Sequence, residues 1–128
     1  LNLNSNTLTA VPASIGSLTA LTTLYLGNNR IATLPTTIGG MTALTTLSLG
    51  GNQLAGLPDA IGQLTGLKKL HLSSNQLTAL PESIVALTNL TRLDLDDNPP
   101  LIRSAQSAAV QAWLQALEDS PACNLSIE

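Results

Sequence analysis

The sequence predicts an α/β solenoid: a curved coil of stacked units with a parallel sheet along its concave side, an irregular or 3₁₀ convex side, and a helix capping its C-terminal end. Three observations carry that prediction. Asn6, Asn29, Asn52, Asn75 and Asn98, together with Leu21, Leu44, Leu67 and Leu90, recur every 23 residues, and a fixed short period means stacked units rather than one globular core. Each period opens on a Leu-x-Leu alternation and continues through a segment with proline and no sustained helical spacing. After Asn98 the pattern stops, and an Ala-, Gln- and Leu-rich stretch follows.

The first unit is partial, with Leu1, Leu3, Asn6, Leu8, Val11, Pro12, Ile15 and Leu18 in register. Three complete units follow, opening at Leu21, Leu44 and Leu67, and a terminal one opens at Leu90. In every unit the leucine alternation has the period of two that marks a short half-buried strand. Behind the asparagine, Pro12, Pro35, Pro58 and Pro81 begin a return path, with Gly16, Gly39 and Gly62 inside it; an irregular or 3₁₀ conformation is expected there. Strand and return repeated in one direction give a parallel sheet on one side of a right-handed coil. The stack should curve, with strands lining the inside. Each asparagine is assigned a structural role, since its amide offers both a donor and an acceptor to backbone groups of the turn.

Pro99-Pro100 ends the repetition, and we place the boundary at 101, with 1–101 as repeats and 102–128 as a cap. A helix is expected from about Arg103 to Asp119, where Val110, Trp113, Leu114 and Leu117 share one face, and Ser120-Pro121 stops it. The simplest role of this helix is a lid over the last repeat, with Trp113 supplying a large apolar area that the leucine layers lack. The alternation of Cys123, Leu125 and Ile127 suggests one more parallel strand. At the other end Leu1 falls inside a unit and would leave an open edge, so the chain is expected to be a piece of a longer protein.

The unit Leu21-x-x-Leu24-x-Leu26-x-x-Asn29-x-Ile31-x-x-Leu34-Pro35-x-x-Ile38-x-x-Met41 resembles a leucine-rich repeat. Its Leu-Pro-x-x-Ile-Gly ending is similar to the 23-residue type found in many bacterial and intracellular eukaryotic proteins, and the resemblance covers about residues 1 to 101. It implies a horseshoe segment whose concave strand face binds other proteins, and it implies no catalytic reaction.

Composition narrows the function. The chain is 44% hydrophobic yet has no Phe and only 2% aromatics, so Leu and Ile must fill the interior. Charged residues make up 10% and the net charge is −3, which argues against nonspecific attraction to nucleic acid or an anionic membrane. Thr, Asn and Gly interrupt every repeat, leaving no run of apolar residues long enough for a membrane span. A single cysteine, Cys123, excludes an internal disulfide, and it reads as a buried inert thiol. A monomer without cofactor is expected, and no targeting segment selects a compartment.

With the strand leucines turned inward, Thr23, Tyr25, Asn28, Thr46, Ser48, Lys69, His71, Arg92, Asp94 and Asp96 fall on the concave face. We take them as the partner-binding positions, with Tyr25 as the aromatic anchor. Small uncharged residues occupy the early units, and charges gather on the last two. Lys69 and Arg92 share one column; His71 and Asp94 share the next. Asp94 is expected to stabilise protonated His71 as a surface ion pair, whereas a catalytic dyad lacks both a nucleophile and a water-excluding site. Asp94, Asp96 and Asp97 lack the spacing of a calcium loop. The triplets Asn89-Leu90-Thr91 and Asn124-Leu125-Ser126 match glycosylation acceptors but arise often by chance. Five strands offer about 400 Å² in projection, against roughly 800 Å² per partner in a standard interface. The function expected is therefore protein recognition by part of a larger array; the alternative is a spacer that binds nothing specifically.

Overall fold

A computed structural model describes residues 1–99 and 106–127. The expected boundary at 101, Pro100 and the expected helix start near Arg103 lie outside the described residues. Five parallel strands form one sheet in chain order: β1 (Thr23–Tyr25), β2 (Thr46–Ser48), β3 (Lys69–His71), β4 (Arg92–Asp94) and β5 (Asn124–Ser126). The central residue of each of the first four, Leu24, Leu47, Leu70 and Leu93, is wholly buried, and its neighbours on either side point away from the core. The first unit contributes less than a strand. Asn2 makes an isolated parallel bridge to Tyr25, and the Leu3 N–H donates to the Tyr25 carbonyl at 2.8 Å.

The return paths are 3₁₀ helices at Ala13–Ser17, Thr36–Gly40, Asp59–Gln63 and Glu82–Ala86. Each follows its proline, which sits extended at φ near −70° (−66° to −70° across the four) and lends its carbonyl to the N–H three residues on. Proline suits this place because its fixed φ matches the entry and its missing N–H is not needed there. The isoleucine accepted by that carbonyl (Ile15, Ile38, Ile61 or Ile84) turns inward and is buried. Strand leucines and return isoleucines thereby meet in one continuous aliphatic core from Val11 to Leu114. The coil curves, with the sheet on its concave side and the 3₁₀ returns on its convex side.

Glycine in the return has a steric cause. A Cβ on Gly16 would lie 2.2 Å from the Thr37 carbonyl oxygen, and one on Gly62 would lie 2.5 Å from that of Ser83, so successive 3₁₀ turns can nest only if this position is bare. In the last unit the equivalent residue is Val85. Among the described residues no further 3₁₀ turn follows it; α1 (Ala108–Glu118) packs on Glu82–Ala86 instead, and Val85 joins the core margin.

The cap differs in detail from the expectation. The helix begins at Ala108 because Ser107 caps it, its Oγ accepting from the Val110 N–H at 3.3 Å. Val110 and Leu114, not Trp113, are the residues fully closed over the last coil; Trp113 and Leu117 are half-buried beside them. The indole lies along the margin of the core. The chain then returns to the sheet, where the Asn124 N–H donates to the Thr91 carbonyl at 2.9 Å and the Leu95 N–H to that of Ser126 at 2.8 Å. Here β5 extends the parallel sheet after a helical crossover.

Candidate binding surface

The asparagine column builds the scaffold beneath the surface. The Asn52 Nδ2 amide donates to the carbonyls of Leu49 (2.9 Å) in its own turn and Leu26 (3.0 Å) in the previous coil, while its Oδ1 accepts from the Ile31 N–H at 3.0 Å. Asn29, Asn75 and Asn98 repeat this set. Each side chain therefore satisfies its own turn and also ties it to the preceding one, a reach of 26 residues in sequence. Asn6 bonds only to the Leu3 and Asn4 carbonyls and is exposed.

Immediately before each asparagine the backbone turns left-handed. Ser5, Asn28, Ser74 and Asp97 have φ between 53° and 56°, and Gly51 has 70°. Asn and Asp tolerate this region and Gly prefers it, whereas Ser carries a steric penalty. The turn lifts Asn28, Gly51 and Ser74 to the rim of the concave face, beyond the ends of the strands.

Two rows of side chains cross the sheet. Thr23, Thr46, Lys69, Arg92 and Asn124 are Cα partners along one; Tyr25, Ser48, His71, Asp94 and Ser126 along the other. All ten lie outside the core. Tyr25 is 37% exposed. An open depression of about 430 Å³ lies between the second row and the rim, bordered by Asn4, Tyr25, Asn28, Ser48, His71 and Ser74. Its floor is low because Gly27 and Gly50 occupy the next positions.

Asp94 acts on His71 in the expected direction, but other influences are larger. His71 Nδ1 lies 3.8 Å from Asp94 Oδ2, and Asp94 does favour the imidazolium. Burial, and after it the charge of Arg92, outweigh that pull, so His71 is held below its ordinary value. The imidazole is half-buried, and the two cations of the neighbouring row, Lys69 and Arg92, oppose a third. The three carboxylates nearby have internal partners. Asp94 Oδ1 accepts from the Asp96 N–H at 3.4 Å, Asp96 Oδ2 accepts from the Ser126 hydroxyl, and Asp97 Oδ2 accepts from the Ser74 hydroxyl at 3.2 Å. Asp96 Oδ1 is buried with no partner. Among the described residues no group of three or more His, Cys, Asp or Glu could hold a metal ion.

Gln106 was not singled out by sequence reasoning. It is buried, and its Oε1 accepts from the Leu80 N–H at 3.0 Å while its Nε2 donates to the Thr78 carbonyl at 3.3 Å. It thereby satisfies two backbone groups of the last return path, just before Pro81. No period marks it, so the sequence carried no signal. Cys123 is half-buried, and burial raises its thiol pKa, which disfavours the reactive thiolate. Among the described residues no helix is long and apolar enough to cross a membrane.

Coils of one parallel strand and one 3₁₀ return, laced by an asparagine ladder, define a solenoid repeat protein. The leucine rich repeat family matches residues 1–54 and 56–99, and the chain belongs to that family. A leucine-rich repeat protein of Leptospira interrogans is similar over 99% of this chain, with 38% identity and a TM-score of 0.83. A chain in a crystal structure of PEPR1-AtPEP1 is similar over 77%, with 31% identity and a TM-score of 0.70. This chain spans 30% of the length of the first and 14% of the second. No curated protein matches it significantly. The family is one of protein-interaction modules, and the fold assigns this chain to that general class.

Proposed function

We propose that the chain recognises a protein partner through its concave strand face, with Tyr25, Ser48 and His71 lining the contact and Thr23, Thr46, Lys69, Arg92, Asp94, Asp96 and Asn28 around them. The observation that carries this reading is the depression beside Tyr25, His71 and the two glycine-floored strands. A half-exposed aromatic ring, polar groups and bare backbone lie together there, as interface centres require. The PEPR1-AtPEP1 structure, in which a similar chain is named together with a second component, supports a protein or peptide as the class of partner. A surface this open does not exclude water, so binding rather than catalysis is the chemistry it suits.

Affinity capture with the intact chain, followed by measured affinities for Tyr25→Ala and Ser48→Arg, tests the proposal. Loss of a central tyrosine should weaken binding by about 2 kcal/mol, and an arginine in the depression should block it. Full affinity in both variants would move the contact to the convex side or make the segment a spacer.

A further inference from the structure

Lys69 and Arg92 are directly paired across β3 and β4, both exposed. Like charges opposite one another on neighbouring strands destabilise a sheet. Only five Lys and Arg occur in the whole chain, so two of them side by side is not the by-product of a generally basic surface. Neither side chain makes a hydrogen bond or ion pair with another described residue, although three aspartates stand on the same and the following turn of chain. Those aspartates are engaged: Asp94 with His71 and the Asp96 N–H, Asp96 with Ser126, and Asp97 with Ser74. The second oxygen of Asp96 is buried. On this face the carboxylates are answered from within the protein and the cations are not.

We infer that the β3–β4 part of the concave face receives an acidic segment of a protein partner, Lys69 and Arg92 together holding a carboxylate of that segment. The inference rests on the concave-face reading proposed above and adds the chemistry of what is bound. A long polyanion fits less well than a short acidic segment. Asp94, Asp96 and Asp97 lie within two to five residues of Arg92 and would repel the continuation of a nucleic acid strand. Toward β2 and β1 the row continues as Thr46 and Thr23, so the partner's flanking residues meet small neutral groups.

His71 is the only histidine, and it feels Arg92 and Lys69 on one side and Asp94 on the other. A carboxylate seated on the two cations cancels part of their field, so the imidazole titration should move upward when the site is filled. The probe is a capped hexapeptide with two central glutamates, compared with its glutamine twin and with a short single-stranded oligonucleotide, at low salt. The glutamate peptide is expected to raise the His71 titration midpoint by NMR, and the glutamine twin to leave it in place. In the double variant Lys69→Gln/Arg92→Gln the glutamate peptide should bind about fivefold or more weakly, while thermal stability is unchanged or higher because the repulsion is gone. Equal binding of both peptides, or undiminished binding to the double variant, overturns the inference. So does a double variant that melts earlier, since the pair would then be structural. Tighter binding of the oligonucleotide would assign the cations to nucleic acid instead. A Thr46→Trp variant separates this failure from that of the concave-face reading: binding lost there but kept in the double variant removes only the cation pair, and binding kept in both removes the face as well.

Discussion

Asn52 joins two coils with one amide, which makes it a measurable part of the stack. Replacing it by Ala orphans the Ile31 N–H and takes one of two amide donors from each of the Leu26 and Leu49 carbonyls, which keep Asn29 and Asn75. Buried groups orphaned in this way cost about 1 to 3 kcal/mol. Asn6 bonds only within its own turn at an exposed site, so Asn6→Ala should cost much less, and urea melts of the two variants compare them directly. His71 gives a second residue-scale expectation. Its folded-state value is lowered from 6.5, so the unfolded chain binds the proton first as pH falls. Stability should therefore rise with pH through the window just below 6.5 and gain nothing from this group above it. Denaturant midpoints at about pH 5 and about pH 7.5 should differ more in the native chain than in His71→Gln; a larger pH dependence in the variant would contradict the lowered value. The asparagines could be read from the sequence because their role is local and repeated. The balance at His71 could not, since Asp94 is visible in the pairing but burial and the reach of Arg92 depend on side-chain placement.

At the scale of elements, α1 closes the stack through two residues. Val110 and Leu114 sit wholly inside against Glu82–Ala86, so Leu114→Ala should destabilise by about 2 to 5 kcal/mol, whereas Trp113→Leu should cost little. Trp113 is the only tryptophan; half-buried, it should emit at intermediate wavelength in the native state and shift red on unfolding. Emission already at the unfolded position would contradict its packing against the core. Helical spacing made the apolar face of the cap legible, but not which of its members go deepest. That choice follows from how the helix seats on Glu82–Ala86 and β5, a property of the assembled coil. Pro99 illustrates a signal that was legible as a break without its mechanism. In earlier coils the N–H groups of Arg30, Gln53 and Gln76 donate to the previous unit; Pro99, at the same register, has none to give, and the ladder stops.

The whole molecule holds together by contact between neighbours, so its stability should be additive in units. Removing residues 44–66, one full period, would set residue 43 before Leu67 with strand, asparagine and proline still in register. This shortened chain is expected to fold, with unchanged sheet signature in circular dichroism and a lower unfolding midpoint. Removing half a period should abolish cooperative unfolding, because strand leucines would then face return isoleucines. If both deletions behaved alike, nearest-neighbour stacking would not be the source of order. The charge distribution belongs to this scale too: cations and carboxylates gather on the last two coils, and only their packing reveals which of them have partners.

The sequence by itself determined the period, the parallel coil, the inward leucines and the outward columns, because each of these depends on spacing along the chain and on the alternation of strand side chains. Tertiary structure decided what spacing cannot express. It reduced the first unit to a bridge at Asn2, sealed the last coil most deeply with Val110 and Leu114 while Trp113 packs at the margin, buried Gln106 on backbone groups of the last return, and set His71 against its neighbour's pull. Those outcomes turn on distances between residues far apart in sequence and on how much water each group keeps, and both exist only once the coils are stacked.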